Sequence, residues 1–130
     1  MLSRRMTMQL VIRGWLLLFY VDVVMRLHGF PRLHERVRRF QVNQSRTAPF
    51  DAQMLSRIVD IACVIYFKPV LCLQRSAALT MLMRRYGFKS ELVIGAQLFP
   101  FSSHAWVEWN GSVANDSPDN IRLFRVLERC

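Results

Sequence analysis

The sequence predicts an α+β fold, with helices first and a small antiparallel sheet after them. Three observations predict it. Apolar residues recur at helical spacing along the chain as far as Gly87. Beyond Gly87 the texture changes to short β-type runs, with His104, Trp106 and Glu108 on one side of a strand and Ala105, Val107 and Trp109 on the other. Asn110-Gly111 then supplies the strongest short hairpin signal. A block of helices followed by a block of strands is the order of an α+β chain.

Met1 to Met8 reads as a frayed terminus. Gln9 to Leu27 reads as a helix, apolar nearly all round from Trp15 to Met25, and Gly29-Phe30-Pro31 ends it. Arg32 to Val42 places Leu33, Val37 and Phe40 at helical spacing beneath a basic face. Asn43 to Ala48 is polar and reads as a loop. Thr47 is the expected N-cap of the next helix, about 48 to 66, with Pro49 in its first turn and Phe50, Met54, Ile58, Ile61 and Ile65 on its apolar face. Lys68-Pro69 separates it from a helix running from Leu71 to Gly87. Pro69 precedes that helix, Gly87 caps it, and Arg84 and Arg85 suit the negative end of its dipole. Leu71, Ala77, Ala78, Met81 and Leu82 form its apolar face. Glu91 to Gln97 reads as a strand, Leu98 to Ser103 as a loop with two exposed aromatics, and His104 to Trp109 as the next strand. Ser112 to Asp116 returns, Ser117 to Asn120 turns, and Ile121 to Leu127 is a last short strand or helix.

The 130 residues suit one domain over 1–130, with 1–47 a helical extension packed on a 48–130 core. A hydrophobic fraction of 52% excludes a disordered tail. The net charge of +9 calls for acidic partners without naming them. Only two of the 18 basic residues are lysines, and eight arginines fall at or before position 39. Three cysteines, Cys63, Cys72 and Cys130, make no disulfide framework and have no zinc-ligand spacing, so a reducing cytoplasm is expected. No signal-peptide cleavage site follows Arg4 and Arg5. Trp15 to Leu27 is too interrupted, by Arg13, Asp22 and Arg26 in its neighbourhood, for a membrane span and is expected to be a buried helix.

One residue on the Leu71–Gly87 helix is out of character. Cys72 falls in the first turn, where partial positive charge and unpaired N–H groups stabilise a thiolate and can also hold an oxyanion. Counting outward from the Asn-Gly turn, His104 faces roughly residue 117, within reach of Asp116. A thiol, an imidazole and a carboxylate are the parts of a nucleophile, a base and the acid that orients it. Spacing alone leaves Asn115 and Asp119 open as the third member. It also leaves open a structural cysteine and a strand histidine with no chemistry.

Cys72-Leu-Gln-Arg-Ser-Ala-Ala-Leu, Leu92-Val-Ile-Gly, Pro100-Phe-Ser-Ser-His-Ala-Trp-Val-Glu and Asn115-Asp116 together resemble the transglutaminase-like protease of lasso peptide biosynthesis, the leader-removing B-type protein in its stand-alone form. The resemblance covers about residues 50 to 127. It implies a papain-like, transglutaminase-like core with Cys72 as nucleophile, His104 as base and Asp116 as acid. It implies hydrolysis at the leader–core junction of a ribosomally made precursor before macrocyclisation. The partners implied are the precursor leader, a separate leader-recognition domain protein and an asparagine-synthetase-like lasso cyclase. No cofactor is implied for this chain, any ATP dependence coming through the cyclase. Neither nucleic acid nor membrane is an expected partner. Phe99, Phe101 and Trp106 are the expected substrate-binding residues. An acyl transferase using the same three residues, and a non-catalytic basic binding module, are the alternatives.

Overall fold

The computed structural model describes residues 3–45 and 48–130. Four helices precede the sheet: α1 (Arg4–His28), α2 (Phe30–Arg39), α3 (Ala52–Ile65) and α4 (Cys72–Arg85). Strands β1 (Ser90–Leu98), β2 (Phe101–Trp109) and β3 (Ser112–Val113) follow, then the short helix α5 (Pro118–Ile121) and β4 (Arg125–Arg129). The sheet is antiparallel in the order β3-β2-β1-β4. The α+β expectation is met.

Local chemistry explains the boundaries, including those the sequence reading misplaced. The Ser3 side chain accepts the Met6 N–H at 3.2 Å, so α1 starts at Arg4 and most of the supposed frayed terminus is helix. Gly29, at φ +79°, receives the end of α1, and α2 restarts at once with Pro31 in its first turn. Asp51 caps α3 by accepting the Met54 N–H at 2.9 Å, so Pro49 lies before that helix and not within it. Thr47, the expected cap, lies outside the described residues. At the end of α4, Gly87 at φ +91° lets the N–H groups of Gly87 and Phe88 reach the carbonyls of Arg84 and Met83 at 3.1 and 3.0 Å, a closing turn that favours glycine.

α1 lies against α3 and α4, and α4 packs on β1 and β2. Leu18, Val21, Ala77, Ala78, Met81, Leu92 and Ala105 join in one apolar core. Leu10, Leu55, Ile58, Leu79, Leu82 and Val107 form a second. Leu71, expected on the buried face, is exposed, because it precedes the helix in an extended conformation. Arg84 is buried rather than merely facing the dipole. It donates to the carbonyls of Val37 at 2.6 Å, Phe40 at 3.1 Å and Ser90 at 3.0 Å, tying α2 and β1 to α4. The far face of α1 leaves Met8, Ile12, Leu16, Phe19, Val23 and Leu27 exposed. Among the described residues no helix is long and apolar enough to cross a membrane.

Phe99-Pro100 links β1 to β2 directly, so the expected loop over 98–103 is a tight turn flanked by strand. His104 therefore lies inside β2, as its fourth residue, rather than opening it. The return strand β3 is only two residues long.

Candidate active site

Cys72 is the first residue of α4, and its side chain is exposed. The helix starts here because Leu71, just before it, is extended. Leu71 sits at ψ 161°, and Arg75 makes the first helical bond back to its carbonyl at 3.0 Å. The leading N–H groups of an α-helix have no partner within the helix, so this end offers donors beside the thiol.

A buried carboxylate fixes that start. Asp22, on α1, accepts hydrogen bonds from Lys68 Nζ at 2.7 Å, Tyr66 Oη at 3.1 Å and Gln74 Nε2 at 3.2 Å. Burial pushes the Asp22 carboxyl up, but the bonds from Lys68 and Tyr66 and the charges of Lys68 and Arg26 bring it below its ordinary value. Burial and the bond to Asp22 push the Tyr66 hydroxyl up to about 12. One carboxylate thus holds both sides of Cys72, the segment before it and the first turn after it. The sequence offers one hint of this arrangement: a lone acid in an otherwise apolar stretch must find partners.

His104 meets Asp116 by a route that strand counting does not give. β3 ends at Val113. The Ala114 N–H still donates to the Val107 carbonyl at 2.8 Å, and Asn115 completes that rung with its side chain. Asn115 Oδ1 accepts the Val107 N–H at 2.9 Å, and Asn115 Nδ2 donates to Ser76 Oγ at 3.0 Å. Ser76 Oγ donates in turn to the Ala105 carbonyl at 3.1 Å, and Arg75 donates to the Asn115 carbonyl. The start of α4 and the 114–116 segment therefore cover the β2 edge together. Asp116 follows, and its Oδ2 is hydrogen-bonded to His104 Nε2. Partial burial pushes the Asp116 carboxyl up. Hydrogen bonds from His104, Asn120 and the Ser117 N–H outweigh it, so the group sits below its ordinary value. Asp119 pairs instead with Arg122 on the surface.

Cys72 and His104 line one cavity of about 300 Å³, together with Phe30, Leu73, Ile94, Ser103 and Ala105. With Nε2 held by Asp116, the ring nitrogen left to this cavity is Nδ1. Trp106 does not line it. The indole is fully buried, inclined at 29° to His104 with ring centroids 5.9 Å apart, under Phe124, and donates to Glu108 Oε2 at 2.9 Å. It supports the imidazole from beneath and has no surface for substrate, a correction to the sequence reading. Phe99 and Phe101 are exposed as expected but lie outside this cavity. Gly95, the cross-strand partner of His104, leaves room for the indole: a Cβ there would stand 2.7 Å from Trp106 Cη2. Cys63 and Cys130 are half-buried and free, and burial pushes both thiols up. Among the described residues no group of three or more His, Cys, Asp or Glu could hold a metal ion.

The model of the transglutaminase-like superfamily matches residues 17–129. The chain belongs to the transglutaminase-like superfamily. This transglutaminase-like chain is also 44% identical, over 48 residues, to the microcin J25-processing protein McjB of Escherichia coli. That stretch is 37% of this chain and spans 23% of the length of McjB. No solved structure matches the transglutaminase-like chain significantly.

Proposed function

We propose that this chain is a cysteine peptidase that removes the leader from a lasso peptide precursor before macrocyclisation. The observation that carries the reading is the shared cavity: an exposed thiol at a helix start and an imidazole held by a carboxylate line the same hollow. The superfamily match, the likeness to a microcin-processing protein and the lasso-protease resemblance of the Cys72 and His104 segments all support it.

In this reading Cys72 Sγ gives its proton to His104 and attacks the carbonyl carbon at the leader–core junction. The oxyanion is met by N–H groups at the start of α4. The C–N bond breaks as His104 passes the proton to the new core amine. Water, deprotonated by His104, then attacks the thioester, which frees the leader carboxylate and restores the thiol. Asp116 keeps the imidazole in the tautomer that presents Nδ1 to the thiol. The leader arrives on a separate recognition domain, which raises its concentration at Cys72, and the freed amine passes to an ATP-using cyclase.

The test is mass spectrometry of a precursor taken from a neighbouring reading frame, incubated with the chain and its recognition domain. Cleavage by the wild type, none by Cys72→Ala, and cleavage by Cys63→Ala and Cys130→Ala are expected. Full cleavage by Cys72→Ala would overturn the reading. Products condensed with an amine, in place of a free core N-terminus, would make the chain an acyl transferase with the same three residues. Salt-steep binding to nucleic acid, indifferent to Cys72, would make it a basic binding module.

A further inference from the structure

One face of the sheet continues from the Cys72 cavity into a second hollow. Successive side chains on that face of β1 are Ile94, Ala96 and Leu98, and their cross-strand partners are Ala105, Ser103 and Phe101. Ile94, Ser103 and Ala105 line the Cys72 cavity, whereas Ala96 and Leu98 line a hollow of about 860 Å³. Ala96 and Ser103 oppose each other, so the two hollows meet across a single residue pair.

The second hollow exists because β4 stops short. β4 pairs with β1 only from Val93 to Ala96, and β1 runs on to Leu98. Phe124, which would be the next rung of β4, turns away to pack on His104 at 5.3 Å and on Trp106. Among the described residues no strand lies beside Gln97 and Leu98 on that side. The walls are Leu123, Leu127 and Phe99, respectively 68%, 62% and 94% exposed, and Arg125 stands on the rim.

We propose that this hollow is a subsite for an extended, apolar segment of the peptide cleaved at Cys72, held by strand addition at Leu98, whose backbone N–H and C=O face the open edge in step with those of Leu92, which pair with Cys130. The proposal rests on the peptidase reading and names where its substrate lies. Continuity with the cavity selects the occupant. From Ile94 to Leu98 is about 13 Å at ~3.3 Å per residue, so a strand crossing the Ala96–Ser103 pair reaches the hollow about four residues from the scissile bond. An open strand edge takes an extended chain, whose alternate side chains then fill pockets. A helix satisfies its own backbone and gains nothing from that edge. A second copy would bring another +9 chain against Arg125. The favoured occupant carries alternate apolar residues and a carboxylate that meets Arg125.

The experiment selects a phage-displayed random dodecapeptide library on the Cys72→Ala protein, which binds without turnover. Enriched peptides are synthesised, and their binding is measured by fluorescence anisotropy. Leu98→Asp and Leu127→Asp change exposed side chains and are expected to weaken binding tenfold or more. Val64→Asp, at a position 83% exposed on α3, is expected to leave it unchanged. Hydrogen exchange should slow at the Leu98 amide when peptide binds. Enrichment of no peptide, equal binding by all three variants, or protection confined to other segments would overturn the proposal. The two readings fail separately: groove binding without cleavage by the Cys72 chain counts against the reaction alone. Cleavage kinetics untouched by Leu98→Asp count against the subsite alone.

Discussion

His104 and Asp116 are joined side chain to side chain, although the strand that should have carried Asp116 to His104 ends three residues earlier. The connection depends on Asn115, whose amide completes the last rung and delivers the next residue to the imidazole. His104→Ala is expected to lower precursor cleavage by about 10²–10⁴-fold, the usual worth of a general base. Asp116→Asn should cost less, since a hydrogen bond can survive in altered form. The pair also predicts a pH dependence of stability. The Asp116 carboxyl is held below its ordinary value, so the folded state binds fewer protons there than the unfolded chain. That stabilisation is complete above the unfolded value, about 3.9, and is lost as the pH falls through the lower folded value. Urea titrations between about pH 5 and 2.5 should show wild type converging on Asp116→Asn from above.

Asp22 is a positioning residue. Asp22→Ala is expected to cost about 1–3 kcal/mol through unmade hydrogen bonds and to loosen the start of α4. The measurement is the rate of iodoacetamide labelling at Cys72, read by mass spectrometry with Cys63 and Cys130 as internal controls. A changed Cys72 rate with steady labelling at the two half-buried thiols marks local misplacement, and Asp22→Asn should restore part of it. Faster labelling of all three would instead mark general loosening.

Gly95→Ala places a methyl group against the Trp106 ring and the Arg125 carbonyl. Overpacking of that kind costs about 1–3 kcal/mol. Because Trp106 lies beneath His104, kcat should fall more than KM rises. A displaced indole would be visible in near-ultraviolet circular dichroism.

The exposed arginines of α2 extend from the helix that brings Phe30 to the Cys72 cavity. Arg36, Arg38 and Arg39 changed together to Glu should weaken acceleration by the recognition domain. Raising salt should weaken it for the unmutated pair, because exposed charges are screened beyond about 10 Å at 0.1 M. Fast, salt-independent cleavage by the isolated chain would assign those arginines to solubility alone.

Much of this was legible in residue types. Pro69 and Gly87 bracket the Cys72 helix, and alternation from Ala105 to Trp109 marks β2. Three misplaced boundaries share one cause, a local hydrogen bond stronger than the periodicity beside it. Ser3 and Asp51 each seized a helix start, and Asn115 cut β3 short. Phe99-Pro100 carries none of the Gly or Asn that usually marks a tight hairpin turn, so the turn read as a loop. Trp106 shares its face with His104 and Glu108 and was expected to meet substrate. The cover is Phe124, eighteen residues downstream, and periodicity cannot report a partner at that distance. Asp22 stood out only as an acid in an apolar stretch, and nothing in the sequence names Gln74 as its partner.

The exposed apolar row on α1, from Met8 to Leu27, has a colloidal consequence. Two such chains attract through these rows and repel through their +9 charges. Repulsion between like-charged molecules fades as counter-ions accumulate, whereas apolar attraction does not. Dilute buffer therefore keeps the molecules dispersed, and added electrolyte lets the rows meet. The salt that ordinarily solubilises a basic protein is expected, for this one, to bring it out of solution, which light scattering across a salt series would show.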